Sequence, residues 1–415
     1  MRTLLAVLLA VALAVPSARA AEPPALRAVA IAGQPAPGGG TFAGFGVESQ
    51  PIVAPMNARG DVAFFATLLR GRTDEALFLA SRARTVRVVA EGDAAPGGGT
   101  FSGFGRHPVP ALNAAGDVAF AAAVTGGRTV EGVFVSAGGK LRAVAVAGGV
   151  APGVPSATFA SLDAPALNDR SDVAFLATLR RGRETTEAVY VAAGGRLRKV
   201  VVQGDVTPAG GAFAGFSVPA LNGRGAIAFG AVLDGRGVPG GVFVAAGDRV
   251  RMLVAAGDEA PGGGIFTKFS DRVSINDAGA VAFNALLGRG PVDGALFVID
   301  GDRPRRVVAL GDPAPGGGRF SYFGLWPSLT AAGDLVFTAS VDGGDAPIGV
   351  FVAGRSGVTR IAGIGDALPA GGTLASFGVY PVASTSLAGG VTFATAATAT
   401  GLGTDAIYAV PPAPR

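Results

Sequence analysis

The sequence predicts an all-β protein, a seven-bladed β-propeller of four-stranded blades, and three observations support this prediction. The first is an eight-residue segment, typified by NAAGDVAF at 113–120, that recurs along the chain. Its copies begin at Asn57, Asn113, Asn168, Asn222 and Asn276, and in weaker form at Thr330 and Ser386. Successive copies start 56, 55, 54, 54, 54 and 56 residues apart. A repeat of this length is typical of a propeller, a solenoid or another array.

The second observation is the strand that follows each copy. Residues 118–124, VAFAAAV, are apolar throughout, with bulky and small side chains alternating. A sheet with one wet face would instead alternate polar and apolar residues, so both faces of this strand must be buried. Blades packed face to face around an axis provide that environment, and the size alternation lets neighbouring blades interdigitate.

The third observation concerns the two ends of the chain. Residues 25–32 have the pattern of the last strand of a blade, although no blade precedes them. Residues 406–410 form a third strand with no fourth strand after it. We expect the N-terminal strand to pair with this strand and complete the seventh blade, because ring closure removes two unpaired edges.

Taken in chain order, the first element is a leader over residues 1–20. Arg2 is followed by an apolar run at 4–15 and by small residues at Ala18 and Ala20, which is the pattern of an export signal. We therefore expect an exported protein, periplasmic or secreted, in which residues 21–415 form a single propeller. The chain has no cysteine, so disulfides cannot stabilise it.

After the closing strand (25–32), repeats of about 55 residues run from 42 to 410. In the second repeat we expect, in order, an opening Phe-x-x-Phe segment (101–104), strand a (109–112), a turn (113–116), strand b (117–124), strand c (132–136) and strand d (141–146). Four short strands joined by hairpin turns make one propeller blade.

The turn between strands a and b has the sequence Asn-x-x-Gly. An asparagine side chain can accept a hydrogen bond from the backbone two residues on, and glycine tolerates positive φ, so this sequence closes a hairpin. Aspartates that follow the motif could instead bind a metal; they are Asp61, Asp117, Asp172 and Asp334. Single carboxylates on separate blades are poor ligands. We expect no cofactor, with calcium as the weaker alternative.

A glycine-rich segment, Gly-Asp-x-x-Pro-Gly-Gly-Gly, connects strand d to the next blade, as at 92–99. No Lys-Ser/Thr pair follows it and no helix is predicted after it, so it lacks the features of a phosphate-binding loop. We interpret it as a structural turn that its aspartate caps.

Charge and hydropathy argue against two classes of partner, nucleic acid and the membrane interior. The chain has 34 basic and 30 acidic residues, and removal of the leader arginines brings it close to neutral. Nucleic-acid binding would require a basic stripe, and a nearly neutral charge makes no case for one. No apolar run after the leader approaches the length of a membrane-spanning helix, so we expect no membrane insertion.

The repeat motif itself has a known parallel. The pattern at 57–64, Asn-Ala-Arg-Gly-Asp-Val-Ala-Phe, resembles that of exported bacterial proteins built from tandem NxxGxxAF repeats. The resemblance covers the whole predicted mature chain, with departures at Ser171, Thr330 and Ser386. It implies a secreted repeat protein of an uncharacterised family and supplies no catalytic residues.

Propeller geometry places the long b–c and d–a connections on one face and the tight turns on the other. Function tends to lie on variable loops held by a rigid scaffold. The segment before strand a varies most in length and should lie near the channel mouth; it contains Glu48 and Gln50 in the first copy. The candidate ligand-binding residues, on this segment or beside it, are Arg106, His107, Asp163, Asp271, Arg272, Tyr322, Trp326 and Tyr380. The alternative is that these are the least constrained positions of a repeat.

The sequence favours a binding or protein-interaction scaffold, a monomer that acts through the long-loop face and the channel mouth on a protein or carbohydrate. A hydrolase or lyase acting on a glycan or lactone is the alternative. Asp163 and Asp271 could then be an acid–base pair if they face each other across the channel. A structural role at the cell surface is a third possibility. The sequence assigns no catalytic residue and does not identify a ligand.

Overall fold

The structure is a computed structural model that describes residues 25–45, 52–104, 108–235, 237–378, 380–396 and 405–412. These residues form strands, turns and loops and contain no helix. Accordingly, the described residues include no helix that could cross a membrane. The predicted leader at 1–20 lies outside the described residues.

The first strand, β1 (Arg27–Ile31), precedes the blades. Blade 1 contains β2 (Thr41–Phe45), β3 (Val62–Leu69), β4 (Glu75–Ala80) and β5 (Thr85–Ala90). Blade 2 contains β6 (Thr100–Gly103), β7 (Ala111–Leu112), β8 (Val118–Thr125), β9 (Glu131–Ala137) and β10 (Lys140–Val146). Blade 3 contains β11 (Thr158–Leu162), β12 (Ala166–Leu167), β13 (Val173–Arg181), β14 (Glu184–Ala193) and β15 (Arg196–Val202).

Blade 4 contains β16 (Ala212–Phe216), β17 (Ala220–Leu221), β18 (Ile227–Asp234), β19 (Gly240–Ala246) and β20 (Arg249–Ala255). Blade 5 contains β21 (Ile265–Ile275), β22 (Val281–Gly288), β23 (Gly294–Ile299) and β24 (Pro304–Ala309). Blade 6 contains β25 (Arg319–Phe323), β26 (Ser328–Leu329), β27 (Leu335–Asp342), β28 (Ile348–Gly354) and β29 (Gly357–Gly363). Blade 7 contains β30 (Ala383–Thr385), β31 (Val391–Thr395) and β32 (Ala406–Val410).

The predicted ring closure is confirmed. β1 pairs antiparallel with β32, with Ala28 opposite Tyr408 and Ile31 opposite Ala406. The seventh sheet therefore has the order β1-β32-β31-β30 and takes its outermost strand from the start of the chain. The described strands form a seven-bladed β-propeller of antiparallel, four-stranded blades.

Strand a is longer than the sequence suggested and is split in most blades. In blade 2, β6 pairs with the far end of β8, with Thr100 opposite Thr125, while β7 pairs with its start. In blade 5 the two halves are one strand, β21. The Phe-x-x-Phe opening is thus the first half of strand a, and the variable segment is an insert between the two halves, beside the middle of strand b.

Both faces of strand b are buried, as predicted. In blade 2, Phe120 and Ala122 pack in a cluster with Ala63 and Leu77 of blade 1. Ala119, on the other face of the strand, packs in a cluster with blade 3. Adjacent blades therefore share one core at each interface, which holds the ring together.

The Asn-x-x-Gly turns join neighbouring blades. The Asn57 Oδ1 atom accepts hydrogen bonds from the Arg59 and Asp61 amides at 3.0 Å each, which confirms the hairpin role. Its Nδ2 atom donates to the carbonyl of Asn113 in the next blade at 3.1 Å. The same inter-blade bond recurs from Asn113, Asn168, Asn222 and Asn276, the last of which donates to the Thr330 carbonyl. We call this series the Asn relay.

The aspartates of both motifs have structural partners. Asp61 and Asp172 each accept a hydrogen bond from their own motif asparagine and form an ion pair with an arginine two residues earlier. In the glycine-rich turn, the Asp93 Oδ2 atom accepts the Ala90 amide at 2.8 Å, and Gly97, Gly98 and Gly99 all have positive φ. The interpretation of this segment as an aspartate-capped turn is therefore confirmed.

Candidate functional site

The channel of the propeller is blocked by one layer of side chains. Each layer residue lies four positions before a repeat start; together they are Val53, Val109, Ala164, Val218, Arg272, Trp326 and Val382. Those of blades 1, 2, 3 and 7 form a buried cluster, and the Trp326 ring of blade 6 packs against it. Residues from opposite sides of the ring can touch only at the axis. We call these seven side chains the hub layer.

Arg272 is the one charged member of the hub layer. Its guanidinium lies 3.8 Å from the centroid of the Trp326 ring, which is close enough for a cation–π interaction. Burial lowers the pKa of Arg272 to about 10, and attraction from Asp163 offsets only part of this effect. The side chains of Arg272 and Trp326 are mostly buried but keep some exposure.

A groove of about 380 Å³ lies beside the hub layer, between blades 3, 4 and 5. Its apolar wall includes Leu176, Val218 and Val232. Its polar residues are Asp163, Glu187, Ser217, Ser270 and Asp271. The structure thus brings Asp163 and Asp271 to one groove, on the two sides of the blade 4 insert.

The polar groups of this groove differ in how far they are already bonded. The Glu187 carboxylate accepts the Phe216 amide of the next blade at 3.0 Å. The Ser217 hydroxyl oxygen accepts the Gly230 amide at 2.8 Å. Asp163 accepts the Ala164 amide and has a further partner, whereas the Asp271 side chain is exposed.

The other residues that the sequence singled out are more scattered. Tyr322 and Tyr380 are 53% and 46% exposed and lie outside the hub layer. Trp326 packs inward on the aliphatic cluster, and no ring contact joins it to Tyr380 among the described residues. Arg106 and His107 lie outside the described residues, as do Glu48 and Gln50.

The opposite mouth of the channel is a smaller cavity of about 180 Å³. Its wall includes Met56, Leu112 and Ile275, and its rim is formed by the Asn-x-x-Gly turns. Two rim carboxylates, Asp169 and Asp277, accept backbone amides of the preceding blade at 2.7 Å and 2.6 Å. Together with the Asn relay, these bonds pair side chains of this mouth with backbone groups of the neighbouring blade.

The sequence analysis did not predict the hub layer, although the sequence contains a signal for it. Counting back four positions from each repeat start gives five aliphatic residues, one arginine and one tryptophan. Val109 opens the predicted strand a of blade 2, but a strand boundary does not show which way a side chain points, so Arg272 and Trp326 could not be distinguished from their neighbours on the insert. Without the split strand, the inward direction of this one position could not be recognised.

Comparisons with known proteins agree on the fold. A search of curated protein sequences found no match. A solved oligogalacturonate lyase in complex with manganese is similar over 93% of this chain and 97% of that one, with a TM-score of 0.52 and 13% identity. A puromycin-hydrolyzing peptidase of Mycobacterium tuberculosis is similar over 87% of this chain and 52% of that one, with a TM-score of 0.45 and 14% identity. At these identities the likeness concerns the fold alone.

A family match covers nearly the whole described propeller. Residues 56–410 match a family described as a family of unknown function, DUF7453. This match names neither the NxxGxxAF repeat nor export, so the relation to the exported repeat proteins stays a prediction. On the extent of the match, the chain belongs to the DUF7453 family of unknown function.

Proposed function

We propose that the protein is an exported binding scaffold whose long-loop face holds a protein or carbohydrate partner. The long-loop face comprises the b–c loops, the d–a turns, the adjoining strand ends and the inserts of strand a. One observation carries the proposal: among the described residues, nine of the ten exposed large apolar side chains belong to this face. They are Leu69, Val130, Val150, Val206, Val232, Leu286, Tyr322, Leu325 and Tyr380.

Exposed apolar side chains gain free energy when a partner removes them from water, at about 25 cal/mol per Å². A single exposed apolar residue is ordinary, whereas a concentration of apolar side chains on one surface favours an interaction site there. The opposite face contributes only Leu387 to the set, among the described residues. This uneven distribution supports a binding surface on the long-loop face.

The hub layer supports a surface role for the protein. Since side chains of five blades meet at the axis, a ligand cannot pass through the ring and must bind against it. The Asn relay and the shared cores make the ring rigid, so little conformational entropy is lost when a partner binds. A rigid ring with variable loops on one face is suited to recognition.

The proposal can be tested with two exposed valines of the long-loop face. The variant Val206→Asp with Val232→Asp is compared with Leu387→Asp on the opposite face, against immobilised glycans and peptides. We expect the double variant to lose at least about tenfold in affinity for any panel member that the wild type binds, because two charges enter an apolar contact. The Leu387→Asp control should bind as the wild type does. Loss of binding in the control alone, or no binding by the wild type, would contradict the proposal.

The alternative function is a hydrolase or lyase that acts on a glycan or lactone. The observation that favours it is that Asp163 and Asp271 line one groove, where two carboxylates could share acid and base roles. The solved oligogalacturonate lyase shares the overall fold at 13% identity and contributes no residue assignment. Turnover of a uronic-acid polymer or a lactone by the wild type, abolished in Asp163→Asn and in Asp271→Asn, would establish this alternative.

A further inference from the structure

The hub layer contains a charge that the fold does not require. Five of its seven positions are filled by valine or alanine, so an aliphatic side chain is compatible with this position of the repeat. Arginine at the same position costs desolvation, and burial does lower the pKa of Arg272. Replacement of a buried charge by an apolar residue is often neutral or stabilising. Packing alone therefore does not explain an arginine at this position.

Arg272 lies in the part of the hub layer that a ligand can reach. Val53, Val109, Ala164 and Val382 are each no more than 9% exposed. The three remaining members, Val218, Arg272 and Trp326, are partly exposed and come from the consecutive blades 4, 5 and 6. Val218 also lines the groove, and its backbone pairs with that of Arg272, so the arginine lies at the groove's inner end.

The guanidinium is held in place by a contact that uses none of its hydrogen-bond donors. Trp326 supports it at 3.8 Å by a cation–π contact, which fixes its position without using a hydrogen bond. A guanidinium has five N–H donors. In the part of the chain that the structure describes, no acceptor is hydrogen-bonded to any of them. Donors of a partly exposed guanidinium that no described acceptor engages can bond to a ligand.

We propose that Arg272, supported by Trp326, binds the carboxylate group of a ligand that enters from the long-loop face. The planar fork of a guanidinium matches the two oxygens of a carboxylate, and the charge strengthens both hydrogen bonds. The carboxylate belongs either to a uronic-acid sugar or to the C-terminus of a peptide. This inference rests on the proposed function, because it names the chemistry that the binding face recognises at its centre.

The charge of Asp163 should affect how tightly Arg272 binds a carboxylate. Its charge attracts Arg272, so an incoming carboxylate must compete with it. Asp271 is exposed in the same groove, which Glu187 also lines, and both carboxylates repel an anion. Removal of the Asp163 charge should therefore strengthen carboxylate binding, whereas it would weaken the binding of a cationic ligand.

Isothermal titration of the full mature chain at low salt provides the test. Glucuronate is compared with glucose, and N-acetyl-Gly-Ala with its C-terminal amide, so that each pair differs at the carboxylate. We expect one of the two acids to bind and its neutral counterpart to bind at least about tenfold more weakly. Arg272→Met should abolish this difference, Arg272→Lys should reduce it, and Asp163→Asn should increase affinity for the acid.

Folding controls keep the result interpretable. Arg272→Met places an aliphatic chain where five other blades have one, so its melting temperature should equal or exceed that of the wild type. Equal binding of acid and neutral probe, no binding of either acid, or unchanged binding in Arg272→Met would overturn the inference. If one of these results is found while the wild type still binds a glycan or peptide through Val206 and Val232, the proposed function stands and only the carboxylate inference fails. Loss of both kinds of binding would remove both proposals.

Discussion

Tyr190 shows how one residue departs from the repeat without disturbing it. Five other blades have phenylalanine at this place in strand c. The Tyr190 ring stacks on Phe175 with centroids 6.1 Å apart, as those phenylalanines stack on the strand b phenylalanine of their own blade. The hydroxyl group donates to the Pro152 carbonyl at 3.0 Å. Burial raises the pKa of Tyr190 to about 12.

The raised pKa makes stability depend on pH in a defined window. Below about pH 10 the hydroxyl is protonated in both states, so its contribution is complete. Between about pH 10 and 12 the unfolded state loses its proton first, and the free energy of unfolding should fall by up to about 2 to 3 kcal/mol. Tyr190→Phe should be about 1 kcal/mol less stable than the wild type at pH 8, through loss of the hydrogen bond.

Denaturant unfolding of both proteins from pH 8 to pH 11.5 measures this effect. The gap between them should close above about pH 10 and then reverse. Arg272 also titrates in this range, but it does so in both proteins and cancels in the difference. A gap that stays constant with pH would show that the hydroxyl has no raised pKa.

At the residue scale the sequence predicted roles that depend on local geometry. The caps at Asp93 and at its equivalents follow from spacing within one turn, and the structure confirms them. The contact of Arg272 with Trp326 joins two blades and depends on which way an insert points. Spacing within one repeat contains no information on that direction, so the pair could be suspected but its geometry could not be predicted.

The a–b turn is the element that combines local and ring-wide bonds. In blade 4, the Asn222 Oδ1 atom accepts the Arg224 and Ala226 amides, and its Nδ2 atom donates to Asn276 of blade 5 at 2.9 Å. In blade 7, Ser386 caps its own turn through the Gly390 amide. In place of the relay, Thr338 and Thr392 make polar links across the two seams beside blade 7.

Two substitutions at Asn222 separate the local cap from the inter-blade bond. Asn222→Ser keeps an acceptor for the Ala226 amide but loses the Nδ2 donor that bonds the Asn276 carbonyl, so it should cost about 1 to 2 kcal/mol of unfolding free energy. Asn222→Ala also leaves the turn amides without an acceptor and should cost about 3 kcal/mol. Chemical denaturation measures both values. If both variants lose the same unfolding free energy, the turn cap contributes nothing. If Asn222→Ser loses none, the inter-blade bond contributes nothing.

Element boundaries from the sequence were accurate where the pattern was continuous. Strand b of blade 2 was predicted at 117–124 and runs from Val118 to Thr125, and strands c and d differ by one residue at their ends. Strand a was predicted too short, because an insert interrupts its apolar pattern in most blades. Blade 5, where the strand runs unbroken, was the copy that could have revealed it.

The whole molecule is a ring with two unlike faces. One face is closed by short turns that the Asn relay connects. The other contains the groove beside Arg272 and, among the described residues, most of the exposed large apolar side chains. The repeat number and the complementary chain ends sufficed to predict the ring. The difference between the faces could be predicted only in part, because exposure depends on how inserts from separate blades pack at the axis.

The central claim is that binding occurs on the long-loop face, and selective blocking of each face tests it most directly. Because the chain has no cysteine, Val232→Cys and Leu387→Cys each create a unique attachment point. Each variant is coupled to a bulky polyethylene glycol, and its affinity for the tightest glycan or peptide of the panel is measured. We expect the polyethylene glycol attached at position 232 to abolish binding and the polymer attached at position 387 to leave binding unchanged. Binding that survives at 232 and disappears at 387 would place the site on the short-turn face and contradict the account.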